Sequence, residues 1–132
     1  MKNLKTILVI DDNHETLDLL ELFLYKDYNL ITGLNGFEAL AQVEELLPDL
    51  IITDIMMPVM DGIKFLNSFR KNAKLAKIPV IAMTSFSKDH TVKSLLNIGF
   101  ADVIGKPLTQ DVLSKAVDAI LKKPSKKQVR TA

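Results

Sequence analysis

The sequence predicts a single α/β domain built on a doubly wound, five-stranded parallel sheet. Three observations predict it. Short apolar runs alternate five times with longer amphipathic stretches. The runs are aliphatic and β-branched without polar alternation, as strands covered on both faces are. The intervening stretches are long enough for the helical, right-handed crossovers that parallel neighbours need. A length of 132 residues suits one domain rather than two.

The elements are taken in order. Ile7-Leu8-Val9-Ile10 reads as the first strand. Leu17, Leu20 and Leu24 then fall at i, i+3 and i+7, the stripe of a helix with one buried face. Leu30-Ile31 is shorter and lies in a more polar context, which suits an edge strand. Asn35, with Glu38 three residues on, resembles a capping box and opens the second helix, with Leu40, Val43 and Leu47 on its stripe and Pro48 after it. Leu50-Ile51-Ile52 is the third strand. Asp61 stands where an N-cap belongs, ahead of Phe65 and Phe69. Val80-Ile81-Ala82-Met83 is the fourth strand. Ser87 takes the N-cap place of the fourth helix, whose stripe is Val92, Leu95 and Leu96 and whose end is Gly99. Val103-Ile104 is the fifth strand. Thr109 then caps a last helix with Leu113, Ala116, Val117 and Ile120 inward. The domain is expected over residues 1–121. Residues 122–132 hold Lys122, Lys123, Lys126, Lys127 and Arg130 with no acid, and read as a basic tail or linker stub.

Composition narrows the function. Hydrophobic residues are 48% and charged residues 25%, which excludes wholesale disorder. The net charge of +1 gives no global pull towards nucleic acid or an anionic membrane; nucleic acid as a partner is not expected, the basic tail reading first as solvated. The absence of Cys excludes disulfides, thiolate metal sites and a Cys nucleophile. The apolar run after Lys2 and Lys5 stops at Asp11, too short for a signal-peptide core, and no run is long enough to span a membrane. The expected location is the cytoplasm.

In open parallel sheets, ligands bind beyond the carboxyl ends of the strands. Asp11 and Asp12 come after the first strand, Asp54 after the third, Thr84 and Ser85 after the fourth, and Lys106-Pro107 after the fifth. Three carboxylates, a hydroxyl and an ammonium therefore converge on one edge. Packed carboxylates repel, and a hard divalent cation such as Mg²⁺ relieves them. With Lys106 beside it, such a site attracts a phosphoryl group, and a carboxylate there can become an aspartyl phosphate. Each residue alone has a plain structural explanation: a cap, a turn, a strand-end hydroxyl, an ordinary Lys-Pro turn. Their coincidence at the ligand-binding edge favours the chemical one.

The motifs Ile10-Asp11-Asp12-Asn13, Asp54-Ile55-Met56-Met57-Pro58-Val59-Met60-Asp61-Gly62, Met83-Thr84-Ser85, Gly99-Phe100-Ala101-Asp102 and Lys106-Pro107 resemble the receiver domain of two-component response regulators, from about Lys5 to Leu121. The resemblance implies a flavodoxin-like (βα)5 fold with strand order 2-1-3-4-5. It implies Asp54 as phospho-acceptor, and Mg²⁺ held by Asp11, Asp12, Asp54 and the Met56 backbone carbonyl. Thr84 and Lys106 would contact the phosphoryl group, and the Lys106–Pro107 bond would be cis. The phosphoryl donor would be a histidine kinase or phosphotransfer protein, with an unidentified downstream protein as target. Such a chain catalyses only transfer onto itself and slow loss of phosphate, so it is no conventional enzyme.

This sequence departs from the family where an aromatic usually stands three residues before the lysine; here it is Val103. Met56 and Phe86, two residues after Asp54 and Thr84, occupy positions that flank the phosphoryl group in the family, and are expected to restrict water and slow hydrolysis. Other classes fit less well. A phosphatase of the haloacid-dehalogenase type wants a second Asp where Met56 stands. A flavodoxin-like cofactor carrier wants a Ser/Thr/Gly-rich phosphate loop, where Asp11-Asp12-Asn13 would repel the phosphate. A degenerate receiver serving only as an interaction module is the alternative from within the family.

Overall fold

A computed structural model describes residues 3–85 and 90–122. Its elements alternate without exception: β1 (Thr6–Ile10), α1 (His14–Leu24), β2 (Asn29–Gly33), α2 (Gly36–Leu46), β3 (Leu50–Asp54), α3 (Gly62–Phe69), β4 (Val80–Thr84), α4 (Val92–Ile98), β5 (Asp102–Gly105) and α5 (Gln110–Leu121). The five strands are parallel in the order β2-β1-β3-β4-β5, the flavodoxin-like order expected. β2, the polar strand, is indeed an edge.

The sheet buries both faces. Ile7, Val9, Leu50, Ile52, Ile81 and Met83 point to the α1/α5 side, where Leu17, Leu20, Leu113 and Val117 meet them. Leu8, Ile10, Ile51, Val80 and Ala82 point to the other side, against Val43, Phe65, Phe69 and Leu95. Alternate residues of each strand thus serve opposite cores, which is why the runs show no polar alternation.

Helix starts obey local chemistry. Asn13 Oδ1 accepts the Glu15 N–H at 2.8 Å, Asn35 Oδ1 the Glu38 N–H at 2.9 Å, and Asp61 Oδ1 the Lys64 N–H at 2.8 Å. Each satisfies a backbone donor that lacks a partner within its helix. Glu38 returns its carboxylate to the Leu34 N–H at 2.7 Å, one residue before the cap, so the expected box at Asn35 is displaced by one position. Thr109 caps α5 as expected. The fourth helix corrects the sequence reading. Ser87 lies outside the described residues, and the cap of α4 is Thr91, whose hydroxyl accepts the Ser94 N–H at 3.1 Å while Ser94 Oγ accepts the Thr91 N–H at 3.0 Å. Gly99 ends α4 at φ 126°, a conformation that favours glycine.

Candidate functional site

Register fixes the site. Ile10 pairs with Thr53, Asp54 with Met83, and Thr84 with Gly105, so the chain leaves β1, β3, β4 and β5 at one edge. Asp11 is fully buried there, and both its oxygens are engaged. Oδ2 lies 2.9 Å from Lys106 Nζ, and Oδ1 accepts the Asn13 N–H at 3.0 Å. Asp54, 7% exposed, places Oδ1 3.4 Å from the same ammonium. Asp12 is exposed, and one carboxylate oxygen from each of Asp11, Asp12 and Asp54 lies within 4.8 Å of the others. Thr84 is buried at the end of β4, and its carbonyl accepts the Lys106 N–H at 2.9 Å, tying the lysine's backbone to that strand. The Lys106–Pro107 bond is cis. Met56 is 67% exposed, and Phe86 lies outside the described residues.

Burial pushes the Asp54 carboxyl above its ordinary range. The charge of Asp11 pushes it further, and Lys106 pulls it part of the way back. Lys106 balances the same forces. Burial favours its neutral form, but the hydrogen bond to Asp11 and the charges of Asp54 and Asp11 outweigh burial and hold it above its ordinary value. The pocket therefore carries more negative charge than one ammonium offsets. Its donors are hard oxygens, the kind Mg²⁺ takes. A divalent cation fits this set on charge and on donor chemistry.

Some positions at the site were not assigned from the sequence. Asn13 both caps α1 and holds Asp11. Thr53, wholly buried, donates its hydroxyl to the Asp54 carbonyl at 2.9 Å. A Cβ on Gly62 would collide with the same carbonyl. Gly62 stood within a quoted motif, and Asn13 is a cap residue by type, so both had a signal. Thr53 had none. Val103, in the place of the aromatic, is half-buried against the α3/α4 side of the core.

The model of the response regulator receiver domain family matches residues 7–118. The chain belongs to that family. Among relatives of this receiver, a 14.6 kDa protein of Leptolyngbya boryana is 36% identical over 103 residues, covering 77% of this chain and 79% of the relative. The alkaline phosphatase synthesis transcriptional regulatory protein PhoP of Bacillus subtilis is 32% identical over 120 residues, covering 90% of this chain but only 49% of the regulator. Among solved structures, the receiver domain of a signal transduction histidine kinase from Syntrophus aciditrophicus superposes with a TM-score of 0.83 at 32% identity, covering 92% of this chain and 93% of that one. The receiver is thus a signalling module of two-component systems. Among the described residues, no helix is long and apolar enough to cross a membrane.

Proposed function

We propose that this receiver takes up a phosphoryl group on Asp54, with Mg²⁺ bound, from a histidine kinase or phosphotransfer protein in the cytoplasm, and that the phosphorylated form alters binding to a downstream protein. One observation carries the reading: a buried carboxylate, 3.4 Å from a lysine ammonium, shares a 4.8 Å cluster of oxygens with two further aspartates. Residues 1–121 form the receiver unit and 122–132 its basic tail.

Asp54 is the nucleophile. One of its oxygens attacks phosphorus, and the bond between phosphorus and the donor's imidazole nitrogen breaks. Asp11, Asp12, Asp54 and the Met56 carbonyl would hold the metal, which when bound offsets the charge of acceptor and phosphoryl oxygens. Gly62 and Thr53 position the Asp54 backbone. Lys106 turns from Asp11 towards the new dianion, and the Thr84 hydroxyl donates to it. These contacts exist only in the phosphorylated state, so they set how far the population shifts. With Val103 in the aromatic's place, the relay towards α4, β5 and α5 runs through Thr84.

Amide NMR spectra with Mg²⁺, before and after beryllofluoride, test the reading. Shifts centred on Asp54, Thr84 and Lys106 are expected. Spectra unchanged by both additions would refute it and leave the interaction-only alternative.

A further inference from the structure

Charge is unevenly placed along the chain. From Gly62 to Ser85 it carries five cations, Lys64, Arg70, Lys71, Lys74 and Lys77, and no acid. Lys71, Lys74 and Lys77 stand exposed on the connection between α3 and β4. That connection is ordered. The Asn72 carbonyl accepts the Leu75 and Ala76 N–H groups at 2.9 and 3.0 Å, the Asn72 side chain accepts the Lys74 N–H at 2.9 Å, and the Leu75 side chain is buried. The lysines are therefore presented on a fixed backbone, which lowers the ordering cost of binding through them.

The opposite charge gathers elsewhere. His14, Leu17, Asp18 and Glu21 of α1 line a groove of about 360 Å³ together with Leu34 and Glu38, and neither Lys nor Arg lines it. The first cation after α1, Lys26, stands over the Tyr25 ring instead, 6.0 Å from its centre. Among the described residues, no ion pair engages Asp18, Glu21, Glu38, Lys71, Lys74 or Lys77. The two sets are too far apart to meet within one copy. The groove opens by the carboxyl end of β2, whereas the lysines precede the amino end of β4, three strands away and so about 14 Å across the sheet.

We infer that a second copy of this chain joins the two surfaces: Lys71, Lys74 and Lys77 of one copy seat against the Asp18, Glu21 and Glu38 groove of the next. The aliphatic stems of the lysines lie on the Leu17 and Leu34 side chains while their ammonium heads meet the carboxylates. A whole-chain charge of +1 leaves little net repulsion between copies. The two surfaces differ, so the contact is head-to-tail and leaves a free groove at one end and free lysines at the other. Exposed ion pairs are individually weak. The association is therefore weak, grows with protein concentration and is screened by salt. α1 starts two residues after Asp12, so a copy seated in the groove crowds the rim of the acidic site. One consequence rests on the proposed function: the seated copy shuts out the phosphoryl donor.

Sedimentation velocity and amide NMR of the full chain over a dilution series test this. They need no phosphorylation, so failure here is separate from failure of the proposed function. In low salt the sedimentation coefficient should rise with concentration, and amide shifts should move at Asp18, Glu21 and Glu38 and at Lys71, Lys74 and Lys77 together. Both changes should vanish in about 1 M salt, where the screening length is about 3 Å. Lys74→Glu with Lys77→Glu should weaken the association by about tenfold or more, and so should Asp18→Lys with Glu21→Lys. All four substitutions together exchange two cations for two acids and two acids for two cations, leave the net charge at +1, and should restore it. The same amide spectra verify that each variant is folded. A wild-type sedimentation coefficient that does not change with concentration overturns the inference. So do shifts confined to one of the two surfaces or centred elsewhere, association that persists in high salt, and a folded fourfold variant that stays monomeric.

Discussion

Asp54 sits in a place that costs the fold stability. Burial and Asp11 raise its pKa above that of an unfolded chain, so the folded state disfavours the charged form. The penalty is present above the folded pKa and is relieved as the pH falls through the folded pKa towards the unfolded one. Asp54→Asn should accordingly melt at a higher temperature than the wild type in metal-free buffer at neutral pH. That gain should shrink as the pH is lowered through the carboxylate range; melting curves across pH measure it, and an equal or lower melting temperature at neutral pH would contradict the electrostatic account. Gly62 is tested separately. Gly62→Ala drives a Cβ into the Asp54 carbonyl and should cost about 1–3 kcal/mol in denaturant unfolding, the usual range for overpacking. In the proposed function, Met56 shields the acyl phosphate from water. Met56→Asn should speed phosphate loss, read from the decay of labelled protein, and unchanged or slower loss would remove the shielding role. Asp11 and Asp54 were legible in the sequence because each comes directly after four β-branched or aliphatic residues, and Asp12 and Lys106 because they stand one step further on, at the same ends of their strands. Thr53 was not, because a strand threonine looks the same whether or not its hydroxyl grips the next carbonyl.

At the scale of elements, the β3–α3 connection departs most from relaxed geometry. Val59 adopts φ 70°, which a β-branched side chain resists, and it is 79% exposed, so no packing compensates. Val59→Gly should relieve this and stabilise the fold by about 1 kcal/mol, after allowing for the greater freedom of glycine in the unfolded chain. A loss of stability would show that the loop is held by contacts of the valine itself. α4 is the other informative element. Its seven residues make it short, and its cap is a threonine–serine pair rather than the Ser/Thr…Glu/Gln pair that marks a helix start most clearly. That is why its start was placed at Ser87 from sequence. The starts of α2, α3 and α5 were placed correctly, because Asn35, Asp61 and Thr109 each stand directly before an apolar stripe.

At the scale of the molecule, alternation and two-sided burial made the parallel sheet legible, since each strand run serves both cores. The strand order was not legible from periodicity. Right-handed crossovers allow several orders, and only the resemblance selected 2-1-3-4-5. The site exists because that order puts β1 between β2 and β3, and so brings Asp11 and Asp12 beside Asp54. The most direct measurement of the central claim is mass spectrometry of the chain after incubation with a small acyl phosphate. With Mg²⁺, a phosphoryl group should appear on the peptide containing Asp54. It should be absent with a chelator and absent in Asp54→Asn. Undiminished labelling of that variant, labelling unaffected by removal of Mg²⁺, or no labelling of the wild type would contradict the account.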